Sequence, residues 1–222
     1  VYGKTLQLLS AEASRLGISH AVVDTNDLSA VQAAMTPKTK LVIVETIANP
    51  LLQVADLATL AEITHRGGAK LLVDNTFAGP LVCKPMELGA DFVMESLTKT
   101  LNGHSDVLLG YLGGRTVVWP RVKQVVSAWG FSASPFDCWL AARGLATAHL
   151  RLERACANAL RAAEFLSQRR EVERVDYPGL KNHPHHEIAS RQFVGAAGPQ
   201  FGTMVAFQLK GGRTAADKFI AA

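Results

Sequence analysis

Lys99 stands in Glu95-Ser96-Leu97-Thr98-Lys99-Thr100-Leu101-Asn102-Gly103-His104-Ser105-Asp106, directly after the apolar run Phe92-Val93-Met94. A solvated lysine, with a pKa of about 10.4, is protonated at neutral pH and is a poor nucleophile. Condensed with an aldehyde it is stored in reactive form, and once released it can act as a general base. Upstream, Lys70-Leu71-Leu72-Val73 ends in Asp74-Asn75-Thr76-Phe77. Between those apolar neighbours the Asp74 carboxylate is expected to be largely withdrawn from water, and a cationic partner offsets the cost of burying it. An amine for an aldehyde and an anion for a protonated ring nitrogen are together what pyridoxal phosphate (PLP) requires. The plainer readings are a solvated lysine in a surface turn and an aspartate capping the following helix.

Ser96 and Thr98 flank Leu97. In an extended segment both hydroxyls would point the same way and could donate to a phosphate. Near the start, Tyr2 offers an aromatic face that could stack on a planar ring; its plainer role is packing ahead of a glycine turn. In Glu45-Thr46-Ile47-Ala48-Asn49-Pro50, Asn49 could donate a hydrogen bond to a phenolic oxygen, although Asn-Pro by itself marks a turn.

Other clusters carry less. His183-Pro184-His185-His186 is interrupted by a proline and has no carboxylate or cysteine set to complete a metal site. His104, Ser105 and Asp106 have the residue types of a nucleophilic triad, but three sequence neighbours rarely converge on one reacting atom. With that cluster incomplete no metal is expected, and since neither a G-x-G-x-x-G nor a Walker-type glycine pattern occurs, a dinucleotide or triphosphate ligand has no support.

The elements that must position these residues alternate as strand and helix, the pattern of a mostly parallel sheet covered by helices. Gln7 to Leu16 reads as a helix, Ala21 to Asp24 as a short strand, and Asp27 to Met35 as a helix capped by Asn26 or Asp27. Lys40 to Glu45 is a near-continuous β-branched run, as in a strand buried on both faces. A helix from Leu57 to Arg66 stops at Gly67-Gly68; strands Leu71 to Val73 and Ala90 to Glu95 follow. Ligands of open α/β sheets collect at the carboxyl ends of strands, where Glu45 to Asn49, Asp74 and Ser96 to Lys99 all fall. Beyond Pro135 come helices at Asp137 to Leu145 and Thr147 to Gln168, then strands at Val172 to Tyr177 and Thr203 to Leu209. The expected organisation is a large domain over residues 1–146, and a connecting helix with part of a smaller α+β domain over 147–222.

The chain has 222 residues, 48% hydrophobic and 19% charged, with a formal net charge of +4 spread along its length. That composition is globular. The mild positive surplus gives no footprint for nucleic acid, and no apolar stretch approaches the roughly 18 residues of a membrane span. Three cysteines outside any CxxC pair argue for reduced core thiols, and with no signal-type leader the protein is expected to be cytoplasmic.

Assembled, these residues resemble the Cys/Met-metabolism (trans-sulfuration) family of PLP enzymes. The resemblance is carried by Val1-Tyr2-Gly3, Glu45-Thr46 with Asn49-Pro50, Val73 to Phe77, Ser96 to Lys99, and Asn102 to Val107. It continues through Ser134 to Asp137, Trp139-Leu140, Arg143-Gly144-Leu145, Tyr177 to Leu180, and His183-Pro184 with His186. It implies PLP fold type I, the aspartate-aminotransferase-like α/β fold. It also implies that Lys99 forms the Schiff base, Asp74 pairs with the ring nitrogen, and Ser96 and Thr98 hold the phosphate. Tyr2, with Lys99 one of the two implied catalytic residues, stacks on the ring, and Asn49 touches its phenolic oxygen.

The implied activity is γ-replacement or γ-elimination on homoserine- or cysteine-derived amino acids, as in cystathionine γ-synthase and γ-lyase, in a homotetramer built from dimers. O-acylhomoserine sulfhydrylase and methionine γ-lyase are alternatives within the family. A PLP aminotransferase and a non-catalytic homologue kept for binding or assembly are the rivals outside it. Ile47-Ala48 replaces the Pro-Thr or Pro-Ser usual before Asn-Pro, and Lys4 stands where methionine γ-lyases carry a cysteine and most cystathionine enzymes a glycine, which counts against methionine γ-lyase in particular. Family members extend further in both directions, so the chain is expected to be an internal fragment. On that reading the phosphate-gripping backbone amides and the arginine that clamps the substrate carboxylate lie outside it.

Overall fold

In a computed structural model, residues 2–195 and 198–221 are described; Val1 of the Val1-Tyr2-Gly3 motif lies outside them. The chain opens with α1 (Gly3–Gln7), which continues over Leu8–Ala13 as a wider π-helical stretch, and then α2 (Leu28–Ala34). Asp27 caps α2, its carboxylate accepting the Ala30 N–H at 2.9 Å. Next come β1 (Leu41–Glu45), the small hairpin of β2 (Ile47–Ala48) and β3 (Gln53–Val54), and α3 (Leu57–Arg66). β4 (Lys70–Asp74), β5 (Phe92–Ser96) and β6 (Gly110–Gly114) complete the main sheet. They are followed by α4 (Trp119–Trp129), α5 (Pro135–Leu145), α6 (Ala148–Ser167), β7 (Val172–Asp176), α7 (His186–Gln192), β8 (Ala206–Leu209) and α8 (Gly212–Ala221).

The main sheet has the order β1-β4-β5-β6, with β1, β4 and β5 parallel and β6 antiparallel to β5. Its register aligns Glu45 with Asp74 and Asp74 with Met94. Side chains at paired positions share a face, so Glu45 and Asp74 lie on one face of the carboxyl edge and the residues that follow them, Thr46 and Asn75, turn to the other. Leu57, Leu60 and Ile63 of α3 pack on Val44, Leu71, Val73 and Val93 of the sheet in the principal core. The buried Asp91 ties this layer together, accepting from Lys70 Nζ at 2.9 Å and the Leu71 N–H at 3.0 Å and pairing with His65 Nε2 at 2.8 Å. A second core forms where Ala159 and Ala163 of α6 meet Val175 and Tyr177.

Several sequence expectations shift. Ala21 to Asp24 is irregular and joins no ladder; Val22 is exposed and no neighbouring strand among the described residues offers it a partner. The first helix starts earlier, at Gly3, and widens where an α-helix was expected. Among the described residues β1 lies at the sheet's edge; Val44 is buried but Leu41 is exposed, so the two-sided burial expected of its β-branched run does not extend along the strand. The last strand begins at Ala206 instead of Thr203. Cys83 and Cys156 are core thiols, but Cys138 is exposed on α5 beside Phe136 and Trp139, a face left uncovered by the described residues. Among the described residues no helix is long and apolar enough to cross a membrane.

Candidate active site

Asp74 closes β4, and Ser96 closes its parallel neighbour β5. A continuous hydrogen-bonded path joins them to Lys99. The Lys99 N–H donates to the Ser96 carbonyl at 3.1 Å. The Ser96 N–H donates to Thr76 Oγ1 at 2.9 Å, and the Thr76 hydroxyl donates to Asp74 Oδ1 at 2.6 Å. The Thr76 N–H adds a second bond to the same oxygen at 3.0 Å. Thr76 thus orients the carboxylate through one oxygen, and no ion pair among the described residues includes Asp74. Asp74 is partly buried, more open than its apolar neighbours implied, because it sits at the strand's carboxyl edge.

After Ser96 the chain does not stay extended. Leu97 to Asn102 form a turn, held by the Asn102 N–H to the Leu97 carbonyl at 3.2 Å and the Gly103 N–H to the Lys99 carbonyl at 2.9 Å. The alternation expected to aim Ser96 and Thr98 in one direction is therefore absent, since a turn and not a pleat connects them. The Thr98 hydroxyl accepts the Leu109 N–H at 3.1 Å and donates weakly to the Leu109 carbonyl at 3.4 Å, tying the following loop to the turn. Lys99 is exposed.

Tyr2 precedes α1, and its backbone N–H donates to Glu45 Oε1, which brings it to the same carboxyl edge, one strand from Asp74. Its side chain is 59% exposed. Asn49 is exposed in the turn between β2 and β3, where the Asn49-Pro50 peptide is cis. His183, His185 and His186 serve the fold. His185 Nδ1 accepts the Val54 N–H at 3.2 Å, His183 Nδ1 accepts the His185 N–H at 3.2 Å, and His186 Nδ1 pairs with the Pro178 carbonyl at 2.8 Å.

Beneath Asp74, on the opposite face, runs a buried polar line missed in the sequence. The Thr46 hydroxyl donates to Asn75 Oδ1 at 2.7 Å, and Asn75 Nδ2 donates to Glu95 Oε1 at 2.8 Å and the Cys83 carbonyl at 3.1 Å. Burial pushes the Glu95 carboxyl up to about 7; the Asn75 amide opposes that shift and the Asp74 charge adds to it. Unfolded, Glu95 titrates near 4.5, so the folded chain holds this proton longer. Stability from this group is full below about pH 4.5 and is lost as pH rises through about 7, an effect of about 3 kcal/mol at most. Glu95→Gln is expected to flatten this segment of the stability profile, measured by urea denaturation at pH 4.5 to 8. An unchanged slope would place the titration elsewhere.

The model of the Cys/Met metabolism PLP-dependent enzyme family matches residues 1–222. The chain belongs to this family. Cystathionine γ-lyase of Dictyostelium discoideum is 44% identical over 95% of the chain and 54% of its own length. Cystathionine γ-synthase of Mycobacterium leprae is 42% identical over 100% of the chain and 56% of its own length. Among solved structures, that of metB from Corynebacterium glutamicum superposes with a TM-score of 0.91 at 42% identity, covering 99% of this chain and 56% of that one. Cystathionine γ-lyase from Lactobacillus plantarum, complexed with L-serine, gives a TM-score of 0.90 at 37% identity, covering 95% and 54%. The chain spans about half the length of the curated relatives it matches.

The α/β fold with its mostly parallel sheet is the fold of these enzymes. The family's cofactor also fits the residues present. Asp74 offers a carboxylate whose Oδ1 is fixed by Thr76 and whose other oxygen faces no cation among the described residues. Lys99 contributes an amine outside every ion pair described. The sequence reading passed over Thr76, although a threonine two positions after a strand-end aspartate is a signal for this local side-chain turn.

Proposed function

We propose that the protein is a PLP-dependent trans-sulfuration enzyme, acting on homoserine- or cysteine-derived amino acids by γ-replacement or γ-elimination. One observation carries the reading: the path Lys99, Ser96, Thr76, Asp74, which ties the backbone of Lys99, three residues beyond β5, to an oriented carboxylate at the end of the adjacent parallel strand β4. Bound PLP would supply a carbonyl carbon for amines and an electron sink for charge developing at the substrate α carbon.

Within that site Lys99 anchors the cofactor through Nζ. When not bonded to the cofactor, Nζ would serve as the general base that accepts the α proton. Asp74 would pair with the ring nitrogen and keep it charged, and the Ser96 hydroxyl would donate to the phosphate. Thr98 can reach the phosphate only by giving up its 3.4 Å bond to Leu109. Tyr2, whose backbone is tied to Glu45 at the carboxyl edge, would stack on the ring, and Asn49, in the turn after β2, would donate to the phenolic oxygen. Assembly as a homotetramer and a cytoplasmic location accord with this reading.

Relatives named as lyase, synthase and sulfhydrylase stand at 41 to 44% identity, so the product identifies the branch. Full-length, PLP-loaded protein given an O-acylhomoserine is expected to release its acyl group as the carboxylate, together with 2-oxobutanoate and ammonia when water completes the reaction, or with a thioether when cysteine is added. Amino-group transfer that depends on an added keto acid would replace this reading with aminotransfer. Folded full-length protein that takes up no PLP would favour the binding or assembly role.

A further inference from the structure

Arg151 lies in the first turns of α6, yet its guanidinium reaches back to the Lys99 turn. Nη1 donates to the Thr100 carbonyl at 2.7 Å; Nη2 donates to the Leu101 carbonyl at 2.7 Å and to the Gly144 carbonyl at 2.8 Å. Nε donates to Thr147 Oγ1 at 3.2 Å, which fixes the plane of the group. No ion pair among the described residues includes Arg151, so carbonyl dipoles receive its charge. Charge-assisted bonds of this kind are roughly twice as strong as neutral ones, and the planar fork loses little rotamer freedom in making them.

Two glycines leave room for this arrangement. A Cβ at Gly103, where φ is +71°, would collide with Arg151 Nη1 and stand 2.7 Å from Cζ. A Cβ at Gly144 would meet Asn102 Oδ1, and the Asn102 carbonyl at 2.7 Å. The apolar side of the same turn is held independently: Leu101 packs with Ala148 and Leu152 of α6, and Leu97 rests against that cluster. Leu101 and its neighbours therefore suffice to dock the turn, while the guanidinium adds directional restraint to the two peptides that follow Lys99.

We propose that Arg151 is a positioning residue for Lys99, clamping the carbonyls of Thr100 and Leu101 so that the Lys99 backbone keeps a fixed placement relative to Asp74. The assignment rests on the PLP reading above, because the value of that placement lies in aligning Nζ with bound cofactor. A misplacement of about 1 Å at a reacting group can cost on the order of 100-fold in rate.

The test compares wild type with Arg151→Met, which keeps the stem, Arg151→Lys, which keeps the charge, and Thr147→Val, which removes only the Nε anchor. In PLP-free protein, hydrogen exchange of the Gly103 amide is expected to rise at least about 10-fold in Arg151→Met, with the sheet amides unchanged. In loaded protein kcat is expected to fall about 10- to 100-fold with KM within about threefold, and the pH midpoint of the visible band to move. Arg151→Lys should recover part of the loss and Thr147→Val should show a smaller change in the same direction. If Arg151→Met does not fold, the same readings on Thr147→Val decide. Unchanged Gly103 exchange and band midpoint, with activity tracking only the folded fraction, would overturn the positioning role. Wild-type protein that fails to load PLP would instead overturn the functional reading.

Discussion

Lys99→Ala is expected to lower turnover of any γ-substituted amino acid by at least about 1,000-fold, because one substitution removes both the cofactor's anchor and the base that takes the α proton. The fold should survive. The Lys99 side chain is exposed, the turn is held by its backbone and by Leu101, and stability is expected to stay within about 0.5 kcal/mol of wild type. Lys99→Arg sharpens the test, since it keeps the positive charge but cannot condense with an aldehyde at neutral pH. Steady-state kinetics on loaded protein check both variants. More than a tenth of wild-type turnover in either would remove Lys99 from the chemistry.

Asp74→Asn should be almost as damaging and for a different reason. The asparagine carbonyl can still accept both Thr76 bonds, so the geometry at the end of β4 persists while the charge is lost. A neutral partner leaves the ring nitrogen unprotonated and the electron sink weak. A fall of about 100- to 1,000-fold in kcat/KM is expected, the scale of removing one preorganised electrostatic partner. Binding of PLP should weaken as well, and Asp74→Glu should restore little because the extra methylene displaces the carboxylate from Thr76. Kinetics together with equilibrium dialysis of PLP separate the two effects. Near-normal kcat/KM in Asp74→Asn would show that the carboxylate is only a structural end to the strand.

Much of this site was legible in the sequence because strand ends are readable. The apolar runs before Asp74 and before Ser96 located β4 and β5, and the parallel sheet then brought their carboxyl ends together. Asp27 and the Gly67-Gly68 stop were legible for the same local reason, since a cap depends on neighbours in sequence. What depended on distant partners was not. Gly110–Gly114 carries no strand pattern, yet it pairs with β5 along its full length, because the ladder and not side-chain alternation holds it. Ala21 to Asp24 reads as a strand but finds no neighbour to pair with among the described residues.

The site followed the same division. Lys99 and Asp74 stood out by type and context, whereas Thr76 acts by reaching back to Asp74 and across to Ser96, and Arg151 reaches a turn some fifty positions earlier. Glu95 looked like one more polar residue at a strand end. Its alternation with Ser96 turns it to the buried face, where Asn75 meets it and its proton is retained. The hydroxyls of Ser96 and Thr98 were read as a pair on a pleat, and the turn that presents Lys99 separates them.

The most direct test of the account is to load the protein with PLP, reduce it with borohydride, and map the modified peptide by mass spectrometry. A single reduced pyridoxyl group is expected on Lys99, with the visible absorbance lost in step and with no labelling in Lys99→Ala. A label on Lys4 or Lys70, or a folded full-length protein that carries none, would contradict it.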